Sequence, residues 1–239
     1  MKDLMVVTFA SSVQGTMPLY LKQLEDAAIE TRVLENTYNM SAGGELWMMI
    51  EMMRKGCRLF EDYRCLVFSD AFDVTFYGSK KEVLDNSPET GVMVAAEKNC
   101  YPDPGIRDRI QTPRPWAFAN GGLFIGCPEE YLKWCEEMER HPSYEPRMNP
   151  QAMLNILVAE NKLSIDYETE LFFCLFGGYD ELRFDNGRPY NTVYGTWPCF
   201  LHANGKWPAA DAFERHRLSL LHPGCEPLRT AEQGDPVGS

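Results

Sequence analysis

Residues 65–73 read CLVFSDAFD, a short apolar run followed by two carboxylates three positions apart, Asp70 and Asp73. A continuous apolar run of this length is typical of a strand in a sheet covered on both faces. In open α/β sheets, ligands bind beyond the carboxyl ends of the strands, which is where these carboxylates lie. Two carboxylates there repel each other unless a cation lies between them, and oxygen ligands suit Mg²⁺ or Mn²⁺. The alternative is a strand-end turn in which Asp70 caps the next segment.

The rest of the chain alternates strand and helix patterns around this stretch. Periodicity predicts helices over 18–29 and 45–60, and further helices are expected to begin at Pro128 and, with Asn149 as N-cap, at Pro150. This alternation predicts an α/β fold with a mostly parallel sheet flanked by helices. Aromatic residues and turn signals over 163–200 predict short strands and turns. The buried strands are expected at residues 4–9, 65–68, 92–96 and 123–125.

Composition limits the class of protein. The chain has 239 residues, 44% of them hydrophobic, which is enough for one large core. The net charge of −12 disfavours a protein whose whole surface binds nucleic acid, because phosphate contacts need lysine and arginine. We expect a single domain over residues 1–222 and a disordered tail, rich in proline, glycine and charge, over 223–239.

The N-terminal residues and the cysteines indicate the location and the redox state of the protein. The apolar run near the N-terminus is short and lacks a cleavage pattern, so a buried strand is expected there and not a secretion signal. No run approaches the length of a membrane span. We therefore expect a protein that stays in the cytoplasm, where it is made. The eight cysteines include no Cys-x-x-Cys pair, which predicts free thiols and gives no zinc site.

A second polar cluster follows the apolar run at residues 199–201. It reads His202-Ala203-Asn204-Gly205-Lys206. His202 is a possible third metal ligand, Asn204 and the Gly205 amide are able to hold phosphate oxygens, and Lys206 is able to neutralise charge there. The alternative for His202 is an ordinary, partly buried histidine.

Two glycine motifs complete the set of candidates. Ser41-Ala42-Gly43-Gly44 precedes a helix and would let backbone amides approach an anion, although a tight turn explains it equally well. Residues 119–126, ANGGLFIG, put glycines before a buried strand, where they permit close ligand approach or mark a bulge. The chain contains no Gly-x-Ser-x-Gly elbow, phosphate-binding P-loop or Gly-x-Gly-x-x-Gly motif, so those hydrolase, NTPase and dinucleotide classes have no local support.

Taken together and in this order, the motifs resemble the glycosyltransferase domain of the procollagen lysyl hydroxylases and their collagen-glycosyltransferase relatives. The resemblance covers about residues 4–208. Its specific parts are the Asp-x-x-Asp block with the aromatic Phe72 and the His-x-Asn-Gly block. The other matching pieces are residues 7–10, 41–44, 95–97, 101–103 and 120–126.

The resemblance implies a GT-A fold, in which a Rossmann-like nucleotide half is merged with a smaller, mixed acceptor-side region. It implies a UDP-sugar donor and Mn²⁺ (or Mg²⁺) held by Asp70, Asp73 and His202. Asn120 and Lys206 are the candidate catalytic residues. The candidate residues for binding the sugar nucleotide are Thr8, Ser41, Ala42, Gly43, Gly44, Phe72, Gly121, Gly122, Asn204 and Gly205.

The acceptor is less determined, because the chain lacks the family's lysine after Gly44 and its acidic residues before Gln151. Unlike the family's hydroxylases, the chain shows no hydroxylase domain and no secretion signal, which suggests a bacterial or viral enzyme acting in the cytoplasm. Two polymer acceptors stay open there, hydroxylysine in a collagen-like protein and a 5-hydroxymethylated base in DNA, beside saccharides or small molecules. The loop 98–118 has a local positive excess and two aromatic residues able to stack on a base, or it is an ordinary solvated loop anchored by Trp116. The acceptor-side candidates are Glu97, Tyr101, Arg107, Arg109, Arg114 and Trp116.

Two other classes of function share part of this sequence pattern. A non-catalytic domain that binds a sugar nucleotide or glycan would also lack the family's acceptor-side acids. A nucleotidyltransferase would share the fold and the metal, but residues 10–15, ASSVQG, contain no lysine or arginine for a triphosphate.

Overall fold

The structure is a computed structural model, and it describes residues 1–13, 15–35 and 45–205. The motif at 41–44, Lys206 and the tail predicted over 223–239 lie outside the described residues. The strands are β1 (Lys2–Ala10), β2 (Glu30–Glu35), β3 (Tyr63–Ser69), β4 (Val74–Phe76), β5 (Val92–Glu97), β6 (Phe118–Gly126), β7 (Ser164–Asp166), β8 (Phe172–Cys174), β9 (Leu182–Asp185), β10 (Arg188–Asn191) and β11 (Phe200–His202). The helices are α1 (Met17–Asp26), α2 (Leu46–Leu59), α3 (Lys80–Asp85), α4 (Pro128–Arg140) and α5 (Pro150–Ala159).

A six-stranded sheet with the order β2-β1-β3-β6-β5-β7 forms the centre of the fold. All neighbouring pairs are parallel except those of β6, which runs antiparallel to both β3 and β5. The predicted α/β class with a mostly parallel sheet is therefore confirmed. Strand β2 was not predicted, because its residues are largely exposed and polar and carry no apolar run.

Both faces of the sheet are covered, as the continuous apolar strands predicted. Alternate residues of β1 point to opposite sides. Leu4 and Val6 pack in one cluster with residues of α1 and α3, whereas Met5 and Val7 pack in another with residues of α2, α4 and α5. Asn149 caps α5 as expected, because its side chain accepts a hydrogen bond from the Gln151 amide.

The glycine motif lies within β6 and not before it, because the strand begins at Phe118 and not at residue 123. The pairing of β6 with β5 is irregular there: Val94 is opposite Phe124, whereas Ala95 is opposite Asn120. The bulge reading of this motif is thus confirmed. Such irregularities re-aim the backbone next to functional sites.

Short strands and turns occupy 163–200, as predicted. Strands β4, β11 and β8 form a small mixed sheet in that order. Strands β9 and β10 form a hairpin whose two-residue turn, Asn186-Gly187, has positive φ at both positions. The seven cysteines of the described ranges are free thiols. Within the same ranges, no helix is both long and apolar enough to cross a bilayer.

Candidate metal centre

The small sheet brings together polar residues that are far apart in the chain. Asp70 follows β3 and Asp73 precedes β4, while His202 ends β11. Because β4 and β11 pair antiparallel with Val74 opposite His202, Asp73 lies beside the histidine. The backbone amide of Ala203 donates to the Asp73 carbonyl at 2.8 Å, which fixes this approach.

Asp70, Asp73 and His202 converge on one point. The Nε2 atom of His202 lies 3.3 Å from Oδ2 of Asp70 and 3.4 Å from Oδ2 of Asp73. One ligand atom from each residue lies within 4.8 Å of the others. The histidine side chain is 4% exposed, whereas the carboxylate side chains are 56% and 42% exposed. The group is therefore anchored on its inner side and open to solvent on its outer side.

The electrostatics of the group favour a cation. Burial alone would lower the pKa of His202, but the charge of Asp73 and hydrogen bonds to both carboxylates raise that pKa well above its usual range. Positive charge is thus stabilised at the point where the three side chains meet.

The surroundings also fit a bound divalent ion. The Nδ1 atom of His202 lies 3.0 Å from Oδ1 of Asn120, which leaves Nε2 facing the two carboxylates. A Cβ atom on Gly122 would lie 2.2 Å from Cε1 of His202 and 2.6 Å from Oδ2 of Asp70, so only glycine leaves the ligands in place. Two carboxylates and one imidazole form a donor set able to hold a divalent metal ion.

A buried polar group lies behind the histidine. The Glu97 carboxylate accepts hydrogen bonds from the side-chain amides of Asn120, Gln151 and Asn204. Burial raises the pKa of Glu97 to about 7, although these three donors oppose the shift. The role of Gln151 was not foreseen, since an amide in the first turn of a helix carries no signal of its partner.

Several predicted nucleotide-binding residues face inward. Thr8 is fully buried, and its hydroxyl donates to the Ser69 carbonyl at 2.9 Å. Asn204 is 6% exposed; its amide group donates to Glu97 and its oxygen accepts from the Phe176 amide. Both side chains are bonded inside the fold, so their contact with a nucleotide stays a prediction. Phe72 is half-buried and packs against Ala10, Met17 and Ala71, and Gly205 is exposed with φ of +89°.

Most of the acceptor-side candidates already contact other side chains of the protein or are buried. The basic side chains of the loop 98–118 meet acidic or aromatic partners, so its positive excess is locally offset. Tyr101 is 48% exposed and lies close to α5, where its carbonyl accepts from Asn155. The contacts are Lys98 with Glu181, Arg109 with Glu160 at 3.9 Å, Arg114 with Glu168 at 3.2 Å, and Arg107 over the ring of Phe118 at 5.0 Å.

Trp116 does not have a free face. Its side chain is fully buried, its ring packs on those of Phe173 and Tyr194, and the Lys98 ammonium lies 4.3 Å from the ring centre. This arrangement gives no support to stacking of Trp116 on a nucleic-acid base and agrees with the alternative reading. The tryptophan anchors the loop to the small mixed region instead.

The fold is similar to that of a solved glycosyltransferase. A solved glycosyltransferase involved in glycosylation of the major capsid of PBCV-1 superimposes with a TM-score of 0.55, covering 90% of this chain and 98% of that one at 9% identity. At that identity the likeness concerns the fold alone.

The family is defined by sequence. The protein-family model described as the PLOD GT domain matches residues 1–210 of this sequence. The chain therefore belongs to this glycosyltransferase family. It is 27% identical over 149 residues to mouse procollagen-lysine,2-oxoglutarate 5-dioxygenase 2, 26% over 178 to the human protein, and 23% over 151 to the uncharacterized protein R699 of Acanthamoeba polyphaga mimivirus. These matches cover 59%, 70% and 61% of this chain but only 20%, 24% and 32% of the relatives.

Proposed function

We propose that this protein transfers a hexose from a UDP-sugar to a hydroxyl group of a modified polymer, with Mn²⁺ or Mg²⁺ held by Asp70, Asp73 and His202. The observation that carries the proposal is the convergence of these three ligands at an open edge of the sheet. Membership of a glycosyltransferase family supplies the class of reaction.

The residues of the chain have distinct parts in this reaction. A bound ion supplies Lewis-acid stabilisation of the negative charge that develops on the diphosphate leaving group. The carboxylates of Asp70 and Asp73, open to solvent on one side, leave room for the donor. Phe72 is proposed to lie beside the nucleotide base, because its ring is only half-buried. Lys206, one position beyond the described residues, is proposed to add positive charge at the diphosphate.

The charge pattern favours a peptide acceptor over DNA. A phosphate backbone needs unpaired basic side chains, and those of the loop 98–118 are offset by acidic or aromatic partners. The hydroxylysine side chain carries a positive amine, which suits a chain of net charge −12. Hydroxylysine is therefore the proposed acceptor.

The test measures UDP release from UDP-glucose and UDP-galactose in the presence of Mn²⁺. A hydroxylysine peptide is compared with its lysine counterpart, and 5-hydroxymethylcytosine DNA with unmodified DNA. Stimulation by hydroxylysine alone supports the proposal, whereas stimulation by the modified DNA alone reverses the choice of acceptor. Binding of UDP with no sugar transfer or hydrolysis would mean a non-catalytic binding domain.

A further inference from the structure

Three side-chain amides around Glu97 have orientations that the backbone dictates. The amide of Gly122 donates to Oδ1 of Asn120 at 3.0 Å. The Phe176 amide donates to Oδ1 of Asn204 at 3.1 Å, and the Gly121 amide donates to Oε1 of Gln151 at 3.4 Å. A backbone N–H only donates, so each side-chain oxygen must face it and each NH₂ group must point the other way.

All three NH₂ groups therefore point at one carboxylate. Oε2 of Glu97 accepts from Asn120 at 3.2 Å and also from Asn204, and Oε1 accepts from Gln151. Glu97, Asn120 and Asn204 are 3%, 5% and 6% exposed, so water does not replace these bonds easily. A carboxylate is the side chain that accepts on both oxygens, which explains an acid at this buried position.

The same Asn120 oxygen also meets the metal centre. Because Oδ1 of Asn120 only accepts, the Nδ1 atom of His202 at 3.0 Å must carry hydrogen. The Nε2 atom, which faces Asp70 and Asp73, is then the nitrogen with the free electron pair whenever the imidazole is neutral. Metal ligation by histidine depends on this choice of nitrogen.

We propose that Glu97 and Asn120 are positioning residues of the metal centre. Glu97 holds the amide of Asn120, and Asn120 holds His202 in the form that presents Nε2 to the ion. This inference rests on the proposed metal site. It replaces the acceptor role expected for Glu97 and the catalytic role expected for Asn120, since neither side chain is directed at a substrate.

The test is a double-mutant cycle on Mn²⁺ affinity, measured by electron paramagnetic resonance of free Mn²⁺ without donor or acceptor. Asn120→Leu removes the oxygen that holds Nδ1, and we expect affinity to fall by about 10- to 100-fold, the range for lost outer-shell partners of a metal site. In Glu97→Gln the new NH₂ group faces either Gln151 or the pair Asn120 and Asn204, so a donor meets a donor within the network, and about a tenfold loss is expected. If Glu97 acts through Asn120, Glu97→Gln costs no further affinity in the Asn120→Leu background.

Asn155→Leu is the matched control. Asn155 is 1% exposed and bonded to the Ala119 amide and the Tyr101 carbonyl, close to the network but joined to neither Glu97 nor His202. We expect its Mn²⁺ affinity to stay within about twofold of the wild type even where the variant is less stable. All variants are measured at a temperature where circular dichroism shows them folded, and Asn120→Ala replaces Asn120→Leu in the cycle if the latter does not fold.

The outcomes are distinct. Wild-type affinity in Asn120→Leu, or equal losses for Glu97→Gln in both backgrounds, would overturn the relay while leaving the metal site intact. A loss in Asn155→Leu as large as that in Asn120→Leu would show a general packing effect and would also overturn it. Failure of the wild type to bind Mn²⁺ would overturn the proposed metal site, and the relay with it.

Discussion

The metal side and the loop 98–118 of this glycosyltransferase domain are held by different forces. The metal-side residues belong to strands whose backbones are hydrogen-bonded, and the polar groups behind them are buried and mutually satisfied. The charged residues of the loop are mostly exposed and held by surface ion pairs, each of which contributes about 0–1 kcal/mol. We therefore expect substitutions on the metal side to disturb the fold together with the site, whereas substitutions in the loop should cost the fold little.

The largest effect is expected from Asp73→Asn. Loss of a principal charged group at the metal centre should lower turnover by about 10³-fold, the scale for a main electrostatic stabiliser. Sugar transfer or UDP-sugar hydrolysis measures this effect. Asp85→Asn, an exposed aspartate paired with Lys81, is the control and should keep full activity. A variant at Asp73 that retains a tenth of the activity would contradict the metal assignment.

The next effect concerns stability and pH on the metal side. Burial raises the folded-state pKa of Glu97 from 4.5 to about 7. A raised carboxyl pKa gives stability that is full below the unfolded value and is lost as pH rises through the folded value. Relative to Glu97→Gln, the wild type should lose roughly 3 kcal/mol of unfolding free energy between about pH 4 and pH 8.

Urea unfolding of both proteins across this pH range measures the difference. All other titratable groups are common to both proteins, so the difference between them reports Glu97 and its electrostatic coupling to His202. A difference that stays constant with pH would show that the Glu97 carboxyl keeps its ordinary pKa.

A third prediction compares two adjacent glycines of β6. In Gly122→Ala the new Cβ would overlap His202 and Asp70, and we expect Mn²⁺ affinity to fall by about 10- to 100-fold. In Gly121→Ala the new Cβ would meet only Cδ1 of Leu154, at 3.8 Å, and affinity should stay near that of the wild type. Calorimetric titration with Mn²⁺ separates the two variants. Equal affinities would mean that the ligands tolerate displacement.

The smallest effect is expected from Arg114→Gln in the loop. The lost pair with Glu168 should change the unfolding free energy by less than about 1 kcal/mol, and by still less at high salt. If the loop binds the acceptor, the KM for the acceptor rises while the KM for the donor is unchanged. A loss of stability comparable to that of a core substitution would remove the contrast between the two regions.

The position of Asp70 and Asp73 was predictable from sequence because it depends on a local rule, the carboxyl end of a buried strand. The third ligand depends on the pairing of β4 with β11, two three-residue strands far apart in the chain. Segments this short carry almost no periodicity, so the sequence pattern indicated His202 only as a possible third ligand, and the resemblance to a family joined it to the carboxylates. The need for glycine at position 122 was likewise not predictable, because it depends on His202 and Asp70 lying where a Cβ atom would stand.

The acceptor-side residues show a related limit of sequence reasoning. Trp116 belongs to a loop with a local positive excess, where its sequence allowed either stacking on a base or anchoring, and Phe173 and Tyr194 from later segments cover it. The loop's charges were counted without the glutamates of later segments, such as Glu160 and Glu168. Local composition predicts which side chains are present, whereas long-range contacts determine which of them remain available.

The pairing of β4 with β11 also determines when, during folding, the candidate metal site is completed. During synthesis, Asp70 and Asp73 emerge from the ribosome well before His202. The long segment between β4 and β11 must then close into a loop before the three ligands come together. Nascent chains that end before β11 present two adjacent carboxylates without the imidazole. Tight ion capture would therefore be a late folding event, reporting that both ends of the domain have docked.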